Sequence, residues 1–230
     1  MQLIYDLIQL SITNCYLIKG LNGFLLIDCG GRGDKKTFTK KLARLGLKAS
    51  QIKYLVLTHH HNDHCGLLPF LMAENPDICV IMSELCSRYL QGGHNIRHPN
   101  ERYANKFLEL MMGLYLGVQK DSDSFEPFYI RPQDIVIRND DDSFLLNMGF
   151  SANILLTPGH TEDSLSVIVK DTAFVGDATR NFLSFTGAPY HPVIYYNESS
   201  YHESRQKIIK QGIRYVCPAH GKPFAVEKWR

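Results

Sequence analysis

Several features that would assign this chain to a specialised class are missing from its sequence. No window approaches the about 18 to 20 consecutive apolar residues of a membrane-spanning helix. The first six residues include an acid and lack the basic start and long apolar stretch of a signal peptide. A formal net charge of +2 argues neither for nor against binding of nucleic acid. We therefore expect a chain that neither spans a membrane nor is exported.

Cysteine is present, but in no pattern that predicts a disulfide framework. The cysteines form no C-x-x-C pair and lie mostly in apolar runs. They are Cys15, Cys29, Cys65, Cys79, Cys86 and Cys217. Reduced thiols in a cytoplasmic protein are the simplest interpretation.

The length of 230 residues allows one large domain or two small ones. Neither a repeat, a low-complexity tract nor a linker divides the chain, so we predict a single domain over residues 1–230. In the first half, apolar runs typical of strands alternate with amphipathic helix patterns, and the second half is richer in strands. This alternation predicts an α/β fold.

The expected elements follow from hydrophobic periodicity and capping residues. The predicted strands are Leu3–Leu10, Asn14–Ile18, Phe24–Ile27, Tyr54–Leu57, Ile78–Met82, Ile135–Ile137, Phe144–Leu146, Ala152–Leu156, Ser166–Val169, Ala173–Val175 and Ile213–Val216. The predicted helices are Lys35–Leu45, Gly66–Ala73, Ser83–Leu90, Glu101–Leu116 and Tyr201–Gln211. Asp34 and Asn100 are the expected N-caps of two of these helices, and Ser200 with Glu203 reads as a capping box.

Residues 83–131 interrupt the alternation and are predicted to form a helical insertion. Its helix Glu101–Leu116 is apolar on more than one face, so it must be covered on two sides. It either packs against the core or a partner subunit, as in a homodimer through residues 101–117, or lines a substrate pocket. His94 and His98 have no partner at ligand spacing, and we interpret both as non-ligands.

The most informative stretch is T-H-H-H-N-D-H at residues 58–64, directly after an apolar strand pattern. Side chains at i, i+2 and i+4 of an extended segment leave on the same side, so His59, His61 and Asp63 converge. His64 can turn away as the chain bends. Two imidazoles, a carboxylate and a further imidazole outline a site for a divalent metal.

Further ligand-type residues follow apolar strand patterns elsewhere. His160 lies in P-G-H-T, Asp177 follows Gly176, and His220 has a proline shortly before it and a glycine after it. Asp28 ends another predicted strand and precedes two glycines, which permits a sharp turn beside a site; a plain turn is the alternative. A fold that aligns these strand ends at one edge of its sheets would bring all of them together.

In combination, Asp28, T-H-x-H-x-D-H, P-G-H-T, G-D and P-x-H-G occur in the order found in the metallo-β-lactamase superfamily, which the chain resembles from Asp28 to His220. The resemblance implies an αβ/βα four-layer sandwich of two mixed β-sheets with outer helices and with metals at one edge. It also implies that Asp177 bridges two metals and that Asp28 orients a ligand imidazole. The implied ligands are His59, His61 and His160 for one metal and Asp63, His64 and His220 for the second.

Ligation by histidine and aspartate suits zinc, so two Zn²⁺ ions are expected, with iron or manganese as the alternative. The di-iron flavoproteins of the superfamily carry a glutamate at the position of His61, which favours a zinc hydrolase here. The expected mechanism uses a metal-bridging hydroxide that attacks a carbonyl or phosphoryl centre, with the second metal or a water near Asp63 assisting departure of the leaving group. Two other classes stay open: a mononuclear iron oxygenase similar to persulfide dioxygenases, and a metal-binding protein without turnover.

The substrate is less well indicated, beyond an ester, thioester, lactone or small phosphodiester. The chain stops ten residues after His220, without the C-terminal helical domain of the hydroxyacylglutathione hydrolases. The large additions and basic surfaces of the superfamily's nucleases are not visible, so we expect a small-molecule substrate and no nucleic acid. The lactonases place a tyrosine shortly after the bridging aspartate, where this chain has Ala178 to Asn181.

The aromatic-rich segment from residue 182 to 201 is expected either to shape the pocket or to pack under the last helix. Phe182 and His191 are candidate substrate contacts. Tyr190 could donate a hydrogen bond to an oxyanion, which makes it a catalytic candidate beside Asp63 and Asp28. Arg180 could pair with a carboxylate or phosphate of the substrate.

Overall fold

The computed structural model describes residues 5–118, 123–140 and 144–229. Within these ranges the strands are β1 (Asp6–Gln9), β2 (Asn14–Lys19), β3 (Phe24–Ile27), β4 (Ile52–Val56), β5 (Cys79–Ser83), β6 (Arg102–Tyr103), β7 (Ile135–Ile137), β8 (Ala152–Leu156), β9 (Leu165–Val169), β10 (Thr172–Phe174), β11 (Arg180–Asn181), β12 (Ile194–Tyr195), β13 (Tyr215–Cys217), β14 (His220–Gly221) and β15 (Phe224–Ala225). The helices are α1 (Lys35–Arg44), α2 (Asn62–Cys65), α3 (Leu68–Glu74), α4 (Glu84–Tyr89), α5 (Lys106–Val118), α6 (Phe144–Asn147) and α7 (Glu198–Ile209).

The strands form two large mixed sheets. The first has the order β1-β2-β3-β4-β5-β7, antiparallel from β1 to β3 and parallel from β3 to β7. The second has the order β15-β13-β10-β9-β8, in which β10 and β13 are parallel and the other pairs antiparallel. Two short pairs, β11 with β14 and β6 with β12, lie outside these sheets.

Alternation of buried side chains along the strands arranges the sheets in layers. In β3, Leu25 packs in the cluster shared by the two sheets, whereas Leu26 faces Phe38 of α1. In the second sheet, Ile168 of β9 faces the cluster that contains Tyr201 of α7. Because neighbouring residues of a strand point to opposite faces, each sheet buries one face against the other sheet and one against helices. This arrangement confirms the predicted α/β sandwich with outer helices.

Two predicted elements, one in the insertion and one after it, differ from the structure. The long helix begins at Lys106, not at Glu101, and the side chain of Asn105 accepts a hydrogen bond from the Leu108 backbone N–H at 2.9 Å. Asn100 is therefore not its cap. The predicted strand Phe144–Leu146 is part of the helix α6, because a short apolar run does not distinguish a strand from a helix.

The two other capping predictions differ in outcome. Asp34 is the N-cap residue of α1 as predicted, but its carboxylate accepts hydrogen bonds from the backbone N–H groups of Ser11 and Gly31 and makes none to the first turn of the helix. Helix α7 begins at Glu198, three residues before the predicted start, and the Asn197 side chain accepts a hydrogen bond from Ser200 at 3.0 Å. The N-cap is the residue at which the backbone enters the helix, and its position depends on the conformation of the preceding loop.

Three further features bear on the expectations from sequence. Among the described residues, every helix is too short or too polar to cross a membrane. All six cysteines are buried free thiols. The count of one domain stays a prediction.

Candidate metal centre

The ends of several strands meet at one edge of the two sheets. Strand β4 leads into the segment 58–64, and β3, its parallel neighbour, ends next to Asp28. In the second sheet, β8, β10 and β13 lead into His160, Asp177 and His220. Since the carboxyl ends of parallel neighbours lie at the same edge, the chain gathers residues that are far apart in sequence.

The structure brings all seven sequence-predicted ligands together. They fall into three overlapping groups, and within each group the candidate ligand atoms lie within 4.8 Å of one another. The groups are His59 with His61 and His160, His59 with His64 and Asp177, and Asp63 with His64 and His220. The first and third match the two ligand sets that the resemblance implies, and the second joins them.

Asp177 lies between the two halves of the cluster. Its Oδ2 atom is 3.6 Å from Nε2 of His160 and 3.3 Å from Nε2 of His220. Its Oδ1 atom is 3.4 Å from Nε2 of His64. One oxygen of the Asp177 carboxylate therefore lies near a ligand atom of each set.

Hydrogen bonds orient two of the imidazoles through Asp28 and Thr58. Asp28 Oδ2 accepts the Thr58 hydroxyl at 2.8 Å and lies 2.9 Å from Nδ1 of His64. The Thr58 hydroxyl has a single hydrogen, so its oxygen accepts from Nδ1 of His59, 3.0 Å away. In both rings Nδ1 therefore carries the proton, and the Nε2 lone pair faces the cluster.

The rings of His160 and His220 also direct Nε2 towards the cluster, and backbone carbonyl groups fix the proton of each ring on Nδ1. Nδ1 of His160 donates to the carbonyl of Ile194 at 3.0 Å. Nδ1 of His220 donates to the carbonyl of Ile12 at 2.8 Å. His61 instead directs Nδ1 towards the cluster, 3.3 Å from Nε2 of His160.

The donor set fits divalent cations. His59 Nε2, His64 Nε2 and Asp177 Oδ1 are buried and have no hydrogen-bond partner among the described residues. A buried polar atom left unpaired costs about 1 to 3 kcal/mol, more if charged, and coordination to a cation removes this cost. Nitrogen and carboxylate ligands are those that zinc and related metals accept.

The electrostatics of the cluster also suit a cation. Burial and the neighbouring imidazoles of His64, His61 and His160 lower the pKa of His59, which keeps it neutral and able to coordinate. Burial lowers the pKa of His220, but the carboxylates of Asp177 and Asp63 outweigh it and raise that pKa to about 10. A cation would take the place of this proton beside the carboxylates.

The predicted substrate residues are spread over different surroundings. Phe182 is partly exposed, with its ring centroid 5.7 Å from that of His220, so it lies at the edge of the cluster. The Tyr190 ring packs 4.6 Å from Phe224, and Nδ1 of His191 lies 2.6 Å from the Tyr195 hydroxyl. These contacts place Tyr190 and His191 with the residues under α7, and their proposed roles at the site stay predictions that the packing does not favour.

Arg180 is 1% exposed and binds its own loop. Its Nη2 donates to the hydroxyl of Thr186 and the carbonyl of Ala188, and Nη1 donates to the carbonyl of Phe182. With these donors engaged, the geometry favours a structural role in the loop after β11 over pairing with a substrate anion.

Several residues next to the ligands were not predicted from the sequence. Thr13 donates its hydroxyl to Asp63 Oδ2 at 3.0 Å, and the Tyr89 hydroxyl donates to Glu162 at 2.6 Å. The ring of His98 packs 4.6 Å from that of Tyr196, whose backbone N–H lies 3.1 Å from the His160 carbonyl oxygen. The position of Glu162, two residues after His160, was the one sequence feature that could have pointed to these neighbouring residues. Among the described residues, His94 and His98 belong to none of the three ligand groups.

Comparison with known proteins agrees with this geometry. A family model described as the metallo-beta-lactamase superfamily matches residues 8–220. The metallo-beta-lactamase fold-containing protein ST1585 of Sulfurisphaera tokodaii is 31% identical, over 92% of this chain and 73% of its own. The Bacillus subtilis protein named "Probable metallo-hydrolase YqjP" is 25% identical, over 91% of this chain and 67% of its own.

Solved structures share the fold. The metallo-beta-lactamase family protein TTHA1429 of Thermus thermophilus superimposes with a TM-score of 0.68 at 22% identity, covering 99% of this chain and 76% of its own. The structure of ST1585 superimposes with a TM-score of 0.67 and covers 97% of this chain and 82% of its own. With the family model matching nearly the whole sequence, the chain belongs to the metallo-β-lactamase superfamily.

Proposed function

We propose that this protein is a binuclear metal-dependent hydrolase that cleaves an ester, thioester, lactone or small phosphodiester bond. The observation that carries the proposal is the position of Asp177 between two sets of ligand atoms, one containing His160 and the other His220. The superfamily includes hydrolases, and a relative bears the name of a metallo-hydrolase.

Each ligand set has a defined part in this proposal. Cations held here would lower the pKa of a water molecule to about 7 and polarise a carbonyl or phosphoryl oxygen. One cation would be held by His59, His61 and His160, the other by Asp63, His64 and His220, with Asp177 shared. We favour zinc, because the ligand atoms are imidazole nitrogens and carboxylate oxygens.

Two carboxylates have roles besides coordination. Asp63 is partly exposed, and its Oδ2 atom accepts a hydrogen bond from Thr13, so a water molecule beside this carboxylate could pass a proton to a leaving group. Asp28 orients His64 directly and His59 through Thr58. Because it does not face the cluster, Asp28 is a positioning residue.

The substrate that we propose is a small molecule with an apolar or ring-bearing group. Phe182 lies beside His220 and is partly exposed, so an apolar group held at the second ligand set would contact its ring. Removal of the ring in Phe182→Ala should raise KM more for butyryl and hexanoyl esters than for acetyl esters. We place the reaction in the cytoplasm, where the six buried thiols stay reduced, with no nucleic-acid partner.

Metal analysis joined to activity measurement tests the proposal. The purified protein is loaded with Zn²⁺, Mn²⁺ or Fe²⁺, its metal content is measured by mass spectrometry, and it is assayed with nitrophenyl esters, a thioester, a lactone and a phosphodiester. We expect close to two zinc ions per chain and hydrolysis of at least one substrate class. Asp177→Asn should lose one ion and more than about 100-fold in kcat/KM, since even partners of ligands contribute about 10- to 100-fold.

His94→Ala serves as the matched control, because His94 lies outside the ligand groups and should leave both quantities unchanged. One iron per chain with oxygen consumption on a persulfide would replace the hydrolase by the oxygenase alternative. Full metal loading without turnover on any substrate class would reduce the protein to a metal-binding one.

A further inference from the structure

His60 lies between two predicted ligands but faces away from the cluster. Its side chain is 1% exposed, and both ring nitrogens are hydrogen-bonded. Nδ1 lies 3.0 Å from Oδ1 of Asp163, and Nε2 accepts a hydrogen bond from the backbone N–H of Ile96 at 2.8 Å. The ring therefore joins the loop that follows His160 to the insertion at residues 83–131.

These partners allow one tautomer only. The Ile96 N–H is a donor, so Nε2 of His60 must be unprotonated and Nδ1 must carry the hydrogen. That hydrogen requires an acceptor, and the Asp163 carboxylate supplies it while its other oxygen accepts the backbone N–H of His60 at 2.9 Å. The carboxylate thus holds both the ring and the backbone of His60.

Asp163 is itself fixed to the beginning of the insertion. Its backbone carbonyl accepts the Ser83 hydroxyl at 2.7 Å, and the same Ser83 oxygen caps α4 by accepting the N–H of Cys86. Asp163 is 1% exposed, so these hydrogen bonds are shielded from water.

Asn62, two residues after His60, is also hydrogen-bonded to the insertion. Its backbone N–H donates to Oδ1 of Asn95 at 2.9 Å, and its side-chain oxygen accepts from Nδ2 of Asn95 at 3.1 Å. Residues 59, 61 and 63 direct their side chains to the cluster, whereas residues 60 and 62 bind the insertion. The same short segment therefore contacts the metal ligands on one side and residues 95–96 on the other.

We propose that the His60–Asp163 pair, with the Asn62–Asn95 pair, is a positioning device in which residues 95–96 of the insertion hold the ligand segment 59–63 in the geometry that binds metal. The inference rests on the proposed metal centre. It assigns the insertion a part in metal binding, besides any part in shaping a pocket.

Asp163→Asn is the decisive variant, because it preserves the size of the side chain and replaces one acceptor oxygen by a donor NH₂ group. The oxygen of the introduced amide can still accept the backbone N–H of His60, but the amide NH₂ group then faces Nδ1 of His60. Nδ1 must become the acceptor, the proton moves to Nε2, and Nε2–H confronts the N–H of Ile96. We expect zinc affinity, measured by competition with a chromophoric chelator, to fall about 10- to 100-fold.

Two further variants and a cobalt spectrum separate positioning from general destabilisation. Ser204→Ala removes the hydrogen bond from the buried Ser204 side chain to the carbonyl of Pro158, in the loop that carries His160, and should leave zinc affinity unchanged. Asn95→Ala should weaken zinc binding by a smaller factor than Asp163→Asn, and it covers the case in which Asp163→Asn does not fold. In the Co²⁺-substituted protein, the visible absorption bands should shift in Asp163→Asn and Asn95→Ala and not in Ser204→Ala.

Each outcome has one meaning. Unchanged zinc affinity and an unchanged cobalt spectrum in Asp163→Asn, or in Asn95→Ala where only that variant folds, overturn the inference and leave the proposed function standing. An equal loss in Ser204→Ala also overturns it, because the effect would then be loss of stability. Absence of zinc binding by the unaltered protein overturns the proposed metal centre, and the inference falls with it.

Discussion

The Oδ2 atom of Asp28 lies 2.9 Å from Nδ1 of His64, on the side of the imidazole opposite the metal cluster. Asp28 holds this position with a positive φ of 57°, a left-handed conformation that is uncommon outside glycine and that asparagine and aspartate adopt more often than other residues. Its other oxygen accepts the backbone N–H of Thr58 at 2.8 Å, which stabilises the unusual backbone. The chain thus accepts local strain where it orients a ligand.

Replacement of Asp28 by asparagine should weaken metal binding at the second ligand set. The asparagine NH₂ would face Nδ1 of His64, which must then accept a hydrogen bond, so that the proton moves to Nε2 and blocks coordination. We expect about 10- to 100-fold weaker binding of zinc, measured by chelator competition. Asp34→Asn is a suitable control, because Asp34 is also buried and accepts backbone N–H groups but does not contact a ligand; an equal loss there would contradict the prediction.

Metal removal should lower the thermal stability of the protein. The buried atoms of His59, His64 and Asp177 that lack hydrogen-bond partners would act as ligands of a cation, so the cation should bind the folded chain in preference to the unfolded one. Free zinc at 100 times its Kd should contribute about 2.7 kcal/mol to the free energy of unfolding. Calorimetry before and after dialysis against a chelator measures the change, and an identical Tm in both states would contradict it.

Replacement of Arg180 separates a structural role from the substrate role expected from the sequence. The buried guanidinium satisfies the carbonyl groups of Phe182 and Ala188, and its loss leaves these groups unpaired. Arg180→Ala should therefore lower the free energy of unfolding by about 1 to 3 kcal/mol for each group that stays buried and unsatisfied. Urea denaturation measures this change. Unaltered stability with a large loss of kcat/KM would restore the substrate role.

The ligand-type residues could be predicted from the sequence because short local patterns mark them. Histidine and aspartate follow apolar strands in fixed local patterns, which singled out His59, His61 and Asp63. The extended conformation expected for all three ends at His61, because Asp63 lies in helix α2 and joins His64 and His220 in another ligand group. His160, Asp177 and His220 could be added because strand ends meet at a sheet edge. These residues are brought together in the structure as expected.

The less predictable part depends on contacts between distant segments. Tyr190 and His191 are close to Asp177 in sequence, yet the loop after β11 carries them to Phe224 and Tyr195. His60 looks like a fourth ligand in the run of histidines, and only the presence of Asp163 shows why its ring turns away. The sequence pattern within a short segment does not show which side of that segment a distant loop covers.

Stability should fall at alkaline pH, in part through Cys79. Burial and the carboxylate of Asp134 raise the pKa of this thiol to about 11, against about 8.5 in an unfolded chain. Between these values the folded state holds the proton and the unfolded state releases it, so the contribution is complete below about pH 8.5 and is lost as the pH approaches about 11. Urea denaturation from pH 7 to 10 should show a shallower decline for Cys79→Ala. The adjacent buried Val80→Ala, which removes no titrating group, should keep the wild-type slope.

Helix α5 offers the last test, because one of its faces exposes large apolar side chains in the part of the chain that the structure describes. Leu108 is fully buried, whereas Leu110 and Leu114 are 62% and 67% exposed. The ring of Phe107 is partly exposed, and its centroid lies 6.3 Å from that of the Phe185 ring. An apolar surface of this kind is typical of an interaction site. We expect the homodimer predicted through residues 101–117, with Leu110 and Leu114 in its interface.

The double variant Leu110→Glu and Leu114→Glu should convert the dimer to a monomer in analytical ultracentrifugation. Its free energy of unfolding, extrapolated to low protein concentration, should change little, because both side chains already contact solvent. Leu108→Ala is the opposite control: it should lower stability by about 2 to 5 kcal/mol, the usual cost of removing a buried leucine side chain. A wild-type protein that sediments as a monomer, together with a raised KM in the double variant, would instead assign this face of α5 to the substrate pocket.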